Sequence, residues 1–244
     1  MSRGVDPSYD PSVMQFAKLL PYVLPAVPTC SNMLAVQNIR RAAIDLCQES
    51  RIWRETMHPL PLGNESCEYE FEPPTGAERV RLEWVTYEGR QLEPTTEHQL
   101  RKCDNAWTIA RGQPNNYLEM NTNTFRLWPA PHGWFSAQDS YMPPINEDDL
   151  DVDYQNKPCA VLARISLRPS IDATAMDALV LQDHYSAIVN GALSYLYFTP
   201  GHPWTNPELG MKHEQAFSQG IDRAKYQAVD GNVSTVRTTS YGGL

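Results

Sequence analysis

The sequence has 244 residues, 41% of them hydrophobic, and a formal charge of −9 from 29 acidic against 20 basic side chains. That supply of apolar residues supports one large or two small domains with a real core and excludes a chain disordered throughout. The acidic balance argues against a protein that grips nucleic acid through clustered Lys and Arg. No run of about 18 or more apolar residues offers a membrane span, and the opening MSRGVDPSYDPS lacks the apolar centre of a signal peptide, so a soluble, unsecreted protein is expected.

Along the chain, Asp10 and Pro11 can start a short helix through Leu20 that Pro21 ends, followed by the proline-rich linker PYVLPAVPTC. Ser31 or Asn32 can cap a stronger helix to about Arg51. Val36, Ile39, Ala43, Leu46 and Cys47 keep helical spacing there, while Arg40, Arg41, Asp45 and Glu49 face away. After Trp53 the period changes to two. Cys67, Tyr69 and Phe71 alternate with Glu68, Glu70 and Glu72 as a half-buried strand. Val80, Leu82 and Trp84 alternate likewise, and Glu88-Gly89 offers a turn before Arg90. Tyr117–Met120 and Thr124–Trp128 flank a hairpin turn, Asn-Thr-Asn, and Val161, Ala163, Ile165 and Leu167 give a last strand one packed side. About five to eight short strands between helical ends predict an antiparallel sandwich inserted into a helical bundle.

The stretch from His184 to Gln227 carries the most specific pattern. Leu181, Tyr185, Ile188, Ala192 and Leu196 form an apolar stripe, widened by Val189 and Leu193, and Gly191 within it signals close approach of a neighbouring backbone. Pro200 and Gly201 end that helix; Asn206 and Pro207 cap and open the next, with Trp204 held between them. Leu209, Phe217, Ile221, Ala224 and Ala228 repeat an apolar face, leaving Lys212, Glu214, Asp222 and Arg223 outward, so an antiparallel helical hairpin is predicted. The remaining Asp230–Leu244 is a polar tail, with Val233, Val236, Arg237 and Tyr241 among Gly, Ser and Thr; its composition cannot bury enough to fold alone, which leaves disorder or ordering by a partner.

Catalytic and metal chemistry find little support. Asp149, Asp151 and Asp153 imitate the start of a calcium loop, but Tyr154 stands where the turn glycine is needed and Ala160 where the closing glutamate belongs. The six histidines form no H-E-x-x-H or H-x-H pair, and there is no G-x-S-x-G elbow, P-loop or G-x-G-x-x-G. The five scattered cysteines hold no C-x-x-C and read as reduced and structural. No cofactor, metal or catalytic residue is assigned, and the protein is not expected to be an enzyme. Trp84, Trp128 and Trp134 are the aromatics that a carbohydrate-binding sandwich would use.

Several stretches in a shared order resemble the head-to-tail adaptor proteins of tailed bacteriophages, the short-tailed type in particular, also called tail tubular or head-completion proteins. LPYVLPAVPTCSNMLAVQNIRRAAIDLCQES resembles the family's opening, YLEMNTNTFRLWPAP its strand pair ending in Pro-x-Pro, and HYSAIVNGALSYLYFTPGHPWTNPELG its helix, corner and following helix, with Phe217 in the place of a recurrent phenylalanine. The resemblance spans most of residues 12 to 228. It implies an α+β protein in which residues 1–54 and 170–229 form the helical bundle, 55–169 an inserted antiparallel β-sandwich, and 230–244 an extended tail on a partner. It further implies a structural virion protein at the head–tail interface, made in the bacterial host cytoplasm. Its function would be a twelve-subunit ring beneath the portal that lengthens the DNA channel for packaging and ejection and docks the tail.

In that setting the partners are the portal protein, the tail nozzle or tail tube, and further copies of the chain. Double-stranded DNA passes through without specific binding, and no membrane is involved. Tyr185, Ile188, Gly191, Ala192, Trp204, Phe217 and Ile221 would make the bundle and ring packing. Asp230, Val233, Val236, Arg237, Tyr241 and Leu244 would dock on the portal. Asp148, Asp149, Asp151 and Asp153 are candidates to line the lumen, with the acidic strand edge at Glu68, Glu70 and Glu72. A ring needs two unlike exposed faces per chain, which two amphipathic helices with charged backs supply. Twelve acidic chains would present on the order of a hundred negative charges to passing DNA. Another neck or nozzle-proximal component, or a carbohydrate-binding module, are the alternatives.

Overall fold

The computed structural model describes residues 12–62, 67–103, 105–131 and 161–230. Its described residues fall into two compact units, one within Met1–Trp53, Thr75–Glu78 and Leu167–Leu244, the other within Arg54–Pro74 and Arg79–Ser166. The fold is α+β.

In the first unit, β1 (Val13–Gln15) leads into a 3-10 turn over Phe16–Leu19, helix α1 (Leu20–Val23) and a second 3-10 turn over Leu24–Ala26. The expected helix ending at Pro21 is therefore replaced by a strand and three short turns. Pro21 opens α1 instead of closing a helix, because a first-turn position has no N–H partner to lose. Phe16, Leu19, Val23 and Val27 are buried by this coil of turns. Helix α2 (Asn32–Ser50) starts where Ser31 accepts a hydrogen bond from the Leu34 N–H at 3.3 Å and stops at Arg51, whose left-handed backbone (φ 53°) terminates it. Ala35, Ile39, Ala42, Ala43, Leu46 and Cys47 form its inner face.

The second unit begins with β2 (Arg54–Met57), β3 (Leu60–Pro61) and β4 (Glu68–Glu70). Strand β5 (Ala77–Tyr87) starts in the first unit and continues into the second. It turns through Glu88 and Gly89, both at positive φ (48° and 78°), into β6 (Arg90–Gln91); this is the left-handed pair that a two-residue hairpin requires. Burial along β5 slips by one residue after Leu82, passing to Val85 and Tyr87, so Trp84 is only half-buried against the simple alternation expected.

Strand β7 (Glu93–Thr95), helix α3 (Glu97–Cys103), β8 (Asn116–Glu119), β9 (Thr124–Trp128) and β10 (Val161–Pro169) complete the strand-rich region. The sheets have the orders β2-β10-β5-β6 and β3-β4-β9-β8-β7. The hairpin β8–β9 forms where expected, pairing Asn116 with Trp128 and Glu119 with Phe125. Neighbouring β7 and β8 run parallel, however, so the five-stranded sheet is mixed and not purely antiparallel. A parallel pair needs a crossover, and α3 with its flanking turns provides it. Strand β4 lies between β3 and β9, so the acidic residues Glu68 and Glu70 are on an interior strand, not a sheet edge. Its inward side is aromatic: Tyr69 and Phe71 stack on Phe125 at 5.5 and 5.0 Å, and Tyr117 meets the same ring edge-on.

Back in the first unit, β11 (Ala175–Asp177) pairs antiparallel with β1, and Asp177 then caps helix α4 (Ala178–Asp183) by accepting from the Val180 N–H at 2.8 Å. Helices α5 (Tyr185–Phe198) and α6 (Pro207–Asp230) follow. They run antiparallel, since Phe198 lies against Gly210 and Ala187 against Gly220. Helix α5 is the centre of this unit: Ala187, Ile188, Gly191, Ala192, Leu193, Ser194, Leu196 and Tyr197 are all buried, more of its circumference than a single stripe.

Candidate interaction surfaces

The packing around α5 decides which helix faces remain outside. A Cβ built on Gly191 would stand 2.8 Å from the Ala42 Cβ and 3.0 Å from the Phe217 ring, so α2 and α6 both close on α5 at one residue. Gly220 takes the Ala187 methyl in the same way, and Gly210 takes the face of Phe198. Phe217, Ile221 and Ala224 complete the inner side of α6. Leu209, expected on that side, is 38% exposed, because Gly210 occupies the inward position beside Phe198.

Polar bonds fix the register of the helices. Tyr195 on α5 donates to the Asp45 carboxylate on α2 at 2.6 Å, and Arg41 lies 4.3 Å over the Tyr195 ring. Burial and the Asp45 bond raise the Tyr195 pKa. His213 on α6 shares a 2.8 Å hydrogen bond with the Asn190 side chain and stacks on Tyr197. Burial, helped by Lys212, holds the His213 pKa below the usual histidine value. His184, between α4 and α5, is lowered by burial against the opposing pull of Asp183. The Cys47 thiol on α2 is pushed up to about 12 by burial, which keeps it an inert packing group.

At the corner between α5 and α6 the backbone is tied at close intervals. Thr205 Oγ1 donates to the Thr199 carbonyl at 2.6 Å and accepts from the His202 N–H, while the Asn206 N–H reaches the Tyr197 carbonyl. The Asn206 side chain accepts from the Leu209 N–H, the cap expected from the sequence. The His202 and Trp204 rings stack 4.4 Å apart, and the buried Trp204 Nε1 finds no acceptor among the described residues.

Of the residues singled out for bundle and ring packing, Ile188, Gly191, Ala192, Phe217 and Ile221 come together in this core. Tyr185 does not: the chain bends at His184, leaving Tyr185 44% exposed with its ring 5.5 Å from Tyr22. Asp230 ends α6, whereas Val233, Val236, Arg237, Tyr241 and Leu244 lie outside the described residues, as do Asp148, Asp149, Asp151, Asp153 and Trp134. Trp128 is engaged internally, donating its Nε1 to the Trp107 carbonyl at 3.0 Å beside Leu100 and Leu118.

What the first unit leaves outside is apolar at several places. Met33 on α2 is 83% exposed, Ile171 is 73% exposed, and Tyr226 and Val229 near the end of α6 are about equally bare. Sequence reasoning missed Met33 and Ile171; a methionine in the first turn of an otherwise amphipathic helix was the available signal. Among the described residues no group of three His, Cys, Asp or Glu side chains could hold a metal, and no helix is long and apolar enough to cross a membrane.

The family model described as SU10 adaptor protein matches residues 14–239, and the chain belongs to that family, one of phage head-to-tail adaptors. No curated protein matches the chain. Membership implies a structural, non-enzymatic component of the virion neck that interacts with portal and tail proteins.

Proposed function

We propose that twelve copies of this chain form a ring beneath the portal of the filled capsid, extend the DNA channel and present the docking face for the tail. The match over residues 14–239 carries the reading, because it takes in both the helices around α5 and the strand-rich region between them. In this reading the helices within 1–54 and 170–229 make the ring-forming bundle, and 55–169 form an inserted sandwich. The tail docks on the portal through Asp230, Val233, Val236, Arg237, Tyr241 and Leu244. The lumen is lined by acidic side chains, with Asp148, Asp149, Asp151 and Asp153 the candidates. The net charge of −9 suits a channel wall that must let DNA slide, since the acidic balance repels phosphates.

The test is native mass spectrometry of the purified chain mixed with the portal ring of the same phage. Twelve copies per portal ring are expected. A chain that stays monomeric and leaves the portal bare would overturn the adaptor assignment in favour of a later neck component.

A further inference from the structure

Most tyrosines among the described residues are packed away. Tyr69 and Tyr117 lie in the aromatic cluster around Phe125, Tyr195 donates to Asp45, and Tyr197 donates to the Ala26 carbonyl at 3.2 Å. Three stand exposed: Tyr22 on α1 at 59%, Tyr185 at the start of α5 at 44%, and Tyr226 on α6 at 73%. The first two are in contact, with ring centroids 5.5 Å apart and planes tilted by 48°. Tyr22 comes from the coil of turns that buries Phe16, Leu19, Val23 and Val27, and Tyr185 is turned outward by the bend at His184. Two phenol rings far apart in sequence are thus held together where solvent reaches both.

We propose that Tyr22 and Tyr185 are a site of oxidative cross-linking, where a one-electron oxidant joins the two rings into a dityrosine that fastens α1 to α5. Each phenol gives up one electron and its hydroxyl proton and becomes a phenoxyl radical. The two unpaired electrons form one carbon–carbon bond between ring positions ortho to the oxygens. The hydrogens on those carbons then shift to the oxygens and restore both phenols, so the chain loses two hydrogen atoms in all. With a haem peroxidase the oxidant is one hydrogen peroxide, reduced to two waters. Exposed side chains reorient within picoseconds to nanoseconds, so rings already in contact need only a small rotation to bring the ortho carbons together. In dilute solution this partner is always at hand, whereas coupling between two molecules depends on their meeting. The bond closes a long loop of chain and so restricts the unfolded state, holding the first turns on the helical core. The chemistry needs one copy of the chain and is independent of the ring reading above.

The experiment treats the dilute, purified full chain with a haem peroxidase and hydrogen peroxide, isolates the monomer, digests it and maps linked peptides by mass spectrometry. A peptide pair carrying Tyr22 and Tyr185, lighter than the two peptides together by two hydrogen atoms, is expected as the main dityrosine of the monomer. Tyr22→Phe and Tyr185→Phe, each at an exposed ring and each keeping its apolar contact, should lower the monomer's dityrosine fluorescence about tenfold. Tyr226→Phe should leave it unchanged. The linked wild type should also melt about 5 °C or more above Tyr185→Phe treated in the same way, a comparison that cancels oxidation at other side chains. Dityrosine in the monomer that joins other tyrosines, or none at all under conditions that couple free tyrosine, would overturn the site. Equal melting of the linked chain and the treated variant would overturn the fastening of α1 to α5.

Discussion

His213 shows how one residue ties local chemistry to stability. Its ring is fastened to Asn190 and Tyr197, and burial holds the folded pKa below the ordinary value of 6.5. The unfolded chain therefore binds the proton more readily than the folded one, so the neutral ring's contribution is complete above about pH 6.5 and declines as pH falls through that value toward the folded pKa. His184 acts in the same direction. We expect the melting temperature to drop on acidification below this point and His213→Gln to flatten part of that drop, with His184 keeping the rest. An identical pH slope in the variant would remove His213 from the account. Nothing in the sequence around Lys212-His213-Glu214 announced this role, because Asn190 and Tyr197 reach the ring only once α5 and α6 are antiparallel.

Among the elements, α5 is the most sensitive to added volume. Alanine at Gly191 would gain about 1 kcal/mol of helix propensity, but its methyl group would press on Ala42 and the Phe217 ring together. Overpacking of that kind costs about 1 to 3 kcal/mol, so Gly191→Ala is expected to lower stability on balance. Gly220→Ala should lose more, since its Cβ would lie 2.5 Å from the Ala187 Cβ with the Ala187 backbone close behind. Chemical denaturation measures both, and a stabilised Gly220→Ala would show that the helices separate more easily than their packing indicates. Gly191 was legible in the sequence as a costly glycine inside an apolar stripe, while Gly210 and Gly220 were not singled out. Helix α3 was missed although Thr96 and Gln99 carry a capping box: the Gln99 N–H reaches Thr96 Oγ1 and the Thr96 N–H reaches Gln99 Oε1. Its single buried side chain, Leu100, leaves no apolar periodicity to notice.

For the whole molecule, the expectation concerns the end of the chain. Removing Asp230–Leu244 is expected to leave the melting temperature of the monomer within a few degrees of wild type, because the buried side of α6 ends with Ile221 and Ala224. The same deletion should weaken portal binding. Binding measured by sedimentation and found unchanged would take the tail out of the docking mechanism.

The sequence by itself determined the elements whose signals are local and repeated. The Ser31 cap and the apolar spacing of α2, the Asn206 cap of α6, the Glu88-Gly89 turn and the alternation in β4 and β10 each depend on neighbours within a few residues. The order of those signals also carried the family resemblance. Only the tertiary structure decided matters that depend on distant partners. The parallel pairing of β7 with β8 is set by the crossover between them, the interior place of β4 by β3 and β9, and the outward position of Tyr185 by the bend at His184. Which sides of α2 and α6 stay bare was likewise settled by what α5 covers, and a helix's periodicity states that it has an inner face without saying what meets the outer one.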